Sequence, residues 1–261
     1  MLTLDRPFGR LHLRVDGPPN APAVVFANSL GTDLRLWDAV LPMLPPGLRY
    51  IRYDKRGHGL SDSGGGRHID DHAEDAIALI EAVAERPVVF VGLSIGGLIA
   101  QVVASRRPDL VQALILSNTA SLLGSAESWQ ARIDAVTAHG LDPIADAVME
   151  RWFAPAFRAT PECRLWRNML VRTPVAGYIA ACHALATADQ RSATAQLRLP
   201  TLFIAGEADG ASPAEVVQAT ADLIPDAAFH ILPGAGHLPC VETPAAWAAL
   251  VGPFLKEHSH V

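Results

Sequence analysis

The sequence predicts an α/β fold in which a mostly parallel, eight-stranded sheet carries helices on both faces and an inserted helical cap. Three observations lead to this prediction. Short apolar runs alternate with segments of helical periodicity, which is the pattern of a parallel sheet. One of these runs passes into a helix through a tight turn at residues 92–96. From about residue 121 to residue 196 the alternation stops, and the pattern becomes helical throughout.

Composition excludes several classes of protein. The 261 residues suffice for one large domain with an insertion, and half of them are hydrophobic. Acidic residues number 27 and basic residues 21, a net charge of −6, so we expect no nucleic-acid partner. The three cysteines lack metal-ligand or disulfide spacing. Because the sequence shows no signal-peptide pattern and no apolar run of membrane-spanning length, we expect a cytoplasmic protein without a membrane partner.

Eight short apolar runs are predicted to form the strands. The first two alternate weakly between apolar and polar residues, so they predict an antiparallel hairpin at a sheet edge. The later runs are apolar almost throughout, which favours strands buried on both faces of a parallel sheet. The predicted strands cover residues 2–4, 11–15, 23–27, 50–53, 88–91, 113–116, 199–206 and 227–232.

Segments of helical periodicity lie between the strands. Apolar stripes predict core helices around residues 34–41, 69–84, 98–103, 213–223 and 243–251. The second of these has an acidic first turn, which suits the helix dipole. His68 and His72 stand one helical turn apart there, a spacing that can ligate metal. Since no third ligand lies nearby, we expect a solvated face and no metal site.

A helical cap is predicted between the sixth and seventh strands. Apolar residues recur there at helical spacing, and prolines at 143, 155, 161 and 174 divide the helices. We therefore predict that residues 1–120 and 197–261 form the α/β core and that residues 121–196 form the inserted cap. The tail, residues 258–261, is expected to fray.

Ser94 is the middle residue of a G-x-S-x-G pattern between a predicted strand and a predicted helix. A residue at the tip of such a turn has a strained backbone, and small residues at positions 92 and 96 relieve the crowding. The Ser94 hydroxyl then projects at the carboxyl edge of the sheet, where a helix N-terminus points N–H groups at a developing anion. The context predicts a nucleophile elbow; a glycine-rich turn in another doubly wound protein is the alternative.

Three predicted strand ends carry groups that together form a catalytic triad, in the chain order Ser94, Asp209, His237. The carboxyl ends of parallel strands meet at one edge of the sheet. His237 is assigned as the base that accepts the serine proton and later returns it, and Asp209 as the group that orients the imidazole. Taken singly, these residues also fit an ordinary turn aspartate and an ordinary loop histidine. Asp54 and Asp62 are competing carboxylates, but both follow an earlier strand.

The oxyanion hole is predicted from two backbone N–H groups. One belongs to Ile95, which follows the nucleophile, and the other to the loop after the third strand, where Leu30 is our candidate.

Seven segments carry longer motifs: residues 28–38, 53–62, 91–101, 147–153, 166–170, 172–178 and 234–242. Together they resemble the 3-oxoadipate enol-lactonases, a family of the α/β-hydrolase superfamily, and the resemblance spans essentially the whole chain. Many superfamily members have His-Gly in the oxyanion loop, whereas this chain has Asn28-Ser29, as the enol-lactonases do. Asn118 occupies the loop where some superfamily members place the acid, which favours Asp209.

The resemblance implies hydrolysis of a small lactone that bears a carboxylate, in the β-ketoadipate pathway of bacterial aromatic catabolism, without a cofactor. The substrate carboxylate favours an arginine partner in a partly dry pocket. The predicted cap contains seven arginines and no lysine, and Arg132 is our candidate. Ser29, Trp129 and Trp152 are the other predicted substrate-binding residues.

Other functions on the same residues stay open. A general carboxylesterase, a perhydrolase or a C–C bond hydrolase would use the same triad, and a ligand receptor with slow turnover would retain it. Haloalkane dehalogenases and epoxide hydrolases are disfavoured, because their nucleophile is Asp and position 94 is Ser. The sequence does not decide whether the protein is a homo-oligomer.

Overall fold

The computed structural model of the chain describes residues 1–259; residues 260 and 261, the end of the predicted tail, lie outside that part. Over this range, eight strands form one sheet in the order β1-β2-β4-β3-β5-β6-β7-β8. The strands are β1 (Leu2–Arg6), β2 (Gly9–Asp16), β3 (Ala23–Ala27), β4 (Arg49–Tyr53), β5 (Val88–Leu93), β6 (Val111–Ser117), β7 (Thr201–Gly206) and β8 (Ala228–Leu232).

The pairing of the strands confirms the predicted fold class. β2 pairs antiparallel with β1 and β4, and every other neighbouring pair is parallel. All residues of β3, β5 and β7 are buried, as expected of central strands covered on both faces. Because β3, β5, β6 and β7 are parallel, their carboxyl ends lie at the same edge of the sheet, which is where the candidate site lies.

Helices follow or separate the strands. They are α1 (Ile69–Val83), α2 (Ile95–Arg106), α3 (Ala126–His139), α4 (Asp142–Trp152), α5 (Pro155–Arg158), α6 (Cys163–Val171), α7 (Val175–Thr187), α8 (Arg191–Thr194), α9 (Ala214–Ala221), α10 (Pro239–Glu242) and α11 (Pro244–His258). Six of them, α3 to α8, lie between β6 and β7. The boundaries proposed for the core and the cap stay a prediction.

The prediction of a helix around residues 34–41 is wrong. Two short 3₁₀ turns, Leu34–Trp37 and Leu41–Met43, occupy this segment instead. Pro42 has no N–H to donate and its ring would meet the carbonyl four residues earlier, which disfavours an α-helix at this position. The turns keep the apolar stripe buried, since Leu36, Trp37 and Val40 have no exposed surface.

The prediction that His72 lies on a solvated face is also wrong. His72 is buried, with its Nε2 atom 3.0 Å from the carbonyl oxygen of Gly66. Burial lowers its pKa to about 3, so the imidazole is neutral and serves packing. In the part of the chain that the structure describes, no cluster of three His, Cys, Asp or Glu side chains is arranged to hold a metal ion.

Between residues 1 and 259, no single helix has both the length and the apolar character needed to cross a membrane. The pair α6 and α7, bent by 93°, meets that test of length and composition only when the two are taken together.

Candidate active site

Ser94 occupies the turn between β5 and α2. Its φ of 57° and ψ of −123° are strained for a residue with a side chain. A Cβ atom on Gly92 would collide with the carbonyl group of Gly96, and one on Gly96 would collide with that of Ala27. The turn is therefore tight because both flanking positions are glycine. The Thr119 hydroxyl donates a 2.7 Å hydrogen bond to the Ser94 carbonyl and anchors the turn.

Asp209 and His237 come together from the loops after β7 and β8. The His237 Nδ1 atom lies 2.8 Å from Asp209 Oδ2, and both side chains are buried. Because Nδ1 bonds to the carboxylate, Nε2 is the ring nitrogen that remains for another partner. His237 and Ser94 line the same pocket, so the three predicted residues meet at one end of the sheet.

Hydrogen bonds hold the Asp209 carboxylate in place. Its Oδ1 atom accepts from the backbone N–H groups of Ala211 at 2.7 Å and Ser212 at 2.9 Å. Its Oδ2 atom accepts from Asn118 Nδ2 at 2.9 Å and lies 2.7 Å from the Ser212 hydroxyl. Burial by itself raises the pKa of Asp209, but the interaction with His237 and these hydrogen bonds hold the pKa below its ordinary value. The carboxylate is therefore ionised at neutral pH.

Asn118 and Ser212 are contacts that the sequence did not assign. Asn118 directly follows β6, the neighbour of β7 in the sheet, and it has a positive φ of 49°. Its Oδ1 atom accepts from the Ser117 hydroxyl at 2.9 Å, and Ser117 Oγ accepts from the Trp247 indole at 3.3 Å. Its place at a neighbouring strand end was the signal available in the sequence. Nothing in the sequence pattern pointed to Ser212 as a contact of Asp209.

The two competing carboxylates have structural partners elsewhere. Asp54 accepts from the backbone N–H groups of Leu34 and Leu60 and lies 2.8 Å from His12 Nδ1. Asp62 accepts from the backbone N–H of Arg10 at 2.8 Å. Both carboxylates therefore hold loops around β2 and β4.

The predicted oxyanion donors lie on opposite sides of Ser94 in the chain. Ile95 is the first residue of α2, so its N–H has no acceptor within the helix. Leu30 lies in the loop after β3 and lines the same pocket as Ser94. Internal hydrogen bonds shape this loop: Asn28 Nδ2 donates to the Thr32 carbonyl at 2.6 Å, and the Thr32 hydroxyl donates to the Ser29 carbonyl at 2.9 Å.

Lys55, which the sequence did not single out, also holds this loop in place. Its ammonium group donates to the Ser29 carbonyl at 2.5 Å and lies 3.5 Å from the Thr32 carbonyl. Only 2% of the residue is exposed, and burial lowers its pKa to about 7. The Lys55 amine therefore changes between its charged and neutral forms at about pH 7, and it contacts the predicted oxyanion loop directly.

The pocket above Ser94 has a volume of about 390 Å³, its mouth included. Helices α3, α4 and α7 form its outer wall. Besides Ser94, Leu30 and His237, it is lined by all four predicted substrate-binding residues, Ser29, Trp129, Arg132 and Trp152. It is also lined by four residues that the sequence did not identify, Val148, Arg151, Tyr178 and Ala211.

Two arginines make this pocket cationic. Arg132 donates to the Tyr178 hydroxyl at 3.2 Å, and Arg151 donates to the Gly210 carbonyl at 3.1 Å, so both contact neutral oxygens. Three other arginines between β6 and β7 form ion pairs with acidic residues, namely Arg158, Arg167 and Arg191. Burial, and then the charge of Arg132, lowers the pKa of Arg151. The two guanidinium groups repel each other, and an anionic ligand would relieve that repulsion.

A serine at a strained elbow, a buried histidine-aspartate pair at the neighbouring strand ends and an eight-stranded sheet are the features of an α/β-hydrolase. Residues 34–244 match the profile of a family described as serine aminopeptidase, S33. Two 3-oxoadipate enol-lactonases of Acinetobacter baylyi are 33% and 35% identical to the chain, over 94% and 92% of its length and 93% and 91% of their own.

The crystal structure of the enol-lactonase from Burkholderia xenovorans LB400 has a TM-score of 0.94 to this fold at 33% identity, covering 98% of this chain and all of the other. The chain therefore belongs to the α/β-hydrolase family, and its resemblance to the 3-oxoadipate enol-lactonases is confirmed. It is an enzyme, a serine hydrolase that acts on carboxylic ester bonds.

Proposed function

We propose that this enzyme hydrolyses 3-oxoadipate enol-lactone to 3-oxoadipate, using Ser94, His237 and Asp209. The observation that carries the proposal is the cationic pocket above Ser94. Its two arginines contact only neutral oxygens there, although acidic partners neutralise other arginines of the same region. A small ester substrate with a carboxylate of its own matches the charge of the pocket. The names of the similar proteins support the same substrate.

The reaction begins when His237 Nε2 accepts the Ser94 proton and Ser94 Oγ bonds to the lactone carbonyl carbon. The carbonyl oxygen becomes an oxyanion, which accepts hydrogen bonds from the N–H groups of Leu30 and Ile95. When this intermediate collapses, the ring C–O bond breaks and an enolate leaves. The enolate takes the proton that His237 Nε2 received from Ser94, which leaves the imidazole neutral, and it tautomerises to the ketone. Because an enolate is a better leaving group than an alkoxide, this half of the reaction asks little of His237 as an acid.

Water completes the cycle. His237 removes a proton from the water as it attacks the acyl carbon, and then returns a proton to Ser94 Oγ as the ester bond breaks. The product leaves with two carboxylates. Asp209, ionised throughout, keeps Nδ1 protonated and stabilises the imidazolium that forms in each half.

Arg132 and Arg151 bind the carboxylate that the substrate already has. A guanidinium group presents a planar fork of donors that matches a carboxylate, and a partly buried site strengthens the interaction. Tyr178 orients Arg132, and Trp129 and Trp152 supply apolar walls for the ring. We place this activity in bacterial aromatic catabolism and in the cytoplasm as part of the same proposal.

The test follows the ultraviolet loss of 3-oxoadipate enol-lactone with the purified enzyme and with Ser94→Ala, beside a panel of neutral aryl esters. We expect fast lactone loss that the substitution reduces by about 10⁴-fold or more. Slow lactone loss with brisk ester turnover would retain the triad and reject the substrate. Lactone turnover that survives in Ser94→Ala would reject the nucleophile.

A further inference from the structure

The C-terminal end of α4 contacts both loops that carry the histidine-aspartate pair. The backbone N–H of His237 donates to the Trp152 carbonyl at 2.7 Å. The backbone N–H of Gly210, next to Asp209, donates to the Arg151 carbonyl at 3.2 Å. Arg151 and Trp152 also line the substrate pocket. The same short segment therefore forms a pocket wall and holds the loops of the catalytic pair.

Glu242, the last residue of α10, ties these parts together. Its Oε2 atom accepts a 2.8 Å hydrogen bond from the backbone N–H of Ala154, just beyond α4. Its Oε1 atom accepts a 2.7 Å hydrogen bond from the backbone N–H of Gly236, the residue before His237. An ionised carboxylate has an acceptor for each donor, whereas an amide or a protonated carboxyl group offers only one good acceptor.

The loop that carries His237 packs closely against the C-terminal end of α4. A Cβ atom on Gly236 would lie 2.5 Å from the Trp152 carbonyl oxygen and 2.8 Å from Glu242 Oε1. Gly236 is thus required by the close approach of the histidine loop to the end of α4. Its neighbour Gly234 is the glycine of this loop with a positive φ, 67°.

We propose that Glu242 is a positioning residue for catalysis, which holds His237 in a constant position relative to the pocket residues Arg151 and Trp152. The base and the pocket wall then keep their alignment through both halves of the reaction. This inference rests on the proposed role of His237, but not on the identity of the lactone.

Ionisation of Glu242 gives the proposal a pH signature. Burial raises the pKa of Glu242 to about 7, against the effect of its two N–H donors. The titratable groups that face it are Asp209 and His237 from the core loops, and the thiols of Cys163 on α6 and Cys240 on α10. Burial raises the pKa of both thiols, so they remain neutral. Below about pH 7 the protonated Glu242 resembles a glutamine, since either offers one good acceptor.

The experiment compares the enzyme with Glu242→Gln on a neutral aryl ester. Active sites are counted by titration with a fluorophosphonate, so that kcat refers to competent enzyme only. At about pH 8 we expect kcat per site to fall about tenfold in the variant, since a displaced general base loses its alignment with the nucleophile. As the pH falls to about 5.5, we expect the ratio of the two kcat values to approach one.

Glu207→Gln is the matched control. Glu207 accepts a 2.8 Å hydrogen bond from the backbone N–H of Gly234 in the same loop, but it does not bridge to α4. We expect its kcat to stay within about twofold of the unmodified enzyme. If Glu242→Gln does not fold, Glu242→Asp keeps the charge but is one methylene too short to reach both donors, and we expect it to lower kcat per site as well.

Unchanged kcat per site at about pH 8 in the soluble Glu242 variant, or a ratio that does not vary with pH, would overturn the inference. Ser94→Ala, assayed on the same ester, separates this failure from failure of the proposed catalytic residues. If that substitution leaves ester turnover intact, the proposed nucleophile is wrong; if it abolishes turnover while Glu242→Gln does nothing, only the positioning role is wrong.

Discussion

Arg132→Ala tests the charge of the pocket most directly. Arg132 is partly exposed in the pocket, and its side chain donates a hydrogen bond to the Tyr178 hydroxyl. The substitution therefore removes a cation without leaving a buried acid unpaired. A hydrogen bond to a charged group contributes about 1.5–3 kcal/mol, which corresponds to about 10- to 150-fold in affinity. Arg151 remains in the pocket and carries part of the interaction. We therefore expect KM for the lactone to rise about tenfold, at the low end of that range.

The assay measures KM and kcat for the enol-lactone and for a neutral aryl ester of similar size. For the neutral ester we expect a change of less than about twofold, because it has no carboxylate to lose a partner. Arg132→Lys should give an intermediate KM, since it keeps the charge but loses the planar fork. Arg167→Ala is the matched control, because Arg167 pairs with Asp142 and Asp146 on α4 rather than lining the pocket. Equal effects of Arg132→Ala on lactone and ester would refute the assignment.

Two further predictions concern stability. Lys55→Met should change the pH dependence of unfolding. Burial lowers the pKa of Lys55 to about 7, so between about pH 7 and 10 the unfolded chain binds a proton that the folded chain releases. In urea titrations, the free energy of unfolding of the unmodified enzyme should therefore rise with pH relative to that of the variant. A difference that is constant over this range would contradict the lowered pKa of Lys55. Gly96→Ala should destabilise the fold by about 3 kcal/mol or more, because the new Cβ atom meets the Ala27 carbonyl. Thermal unfolding tests it, with Gly252→Ala as the control, because Gly252 is also a helical glycine and a Cβ atom there would meet only Pro45 Cδ, at 4.0 Å; similar losses in both variants would mean that the collision does not set the effect.

Much of the fold follows from local patterns. The apolar runs that predicted the strands differ from the observed bounds by a few residues, because a strand buried on both faces must be apolar at consecutive positions. Hydrophobic periodicity gave the wrong prediction at residues 34–41, because two 3₁₀ turns can bury the same spacing of apolar residues as an α-helix. Pro42, directly after this segment, was the signal in the sequence against a longer α-helix.

The contacts that surround the candidate site were harder to foresee. Asn118 reaches Asp209 from 91 residues away along the chain, and Lys55 reaches the Ser29 carbonyl across 26 residues. Glu242 joins Ala154 to the histidine loop across 88 residues. No spacing rule predicts such pairs, because they depend on how helices pack over the sheet.

The sequence by itself determined the α/β architecture, the elbow at Ser94 and the three strand ends at which Ser94, Asp209 and His237 lie. These features are local, because each depends on apolar runs, on turn glycines or on a residue within a few positions of a strand end. Only the tertiary structure decided which arginines face the pocket and which acid joins α4 to the histidine loop. A side chain's neighbours across the fold set its charge and its contacts, and those neighbours are brought together by packing rather than by their order in the chain.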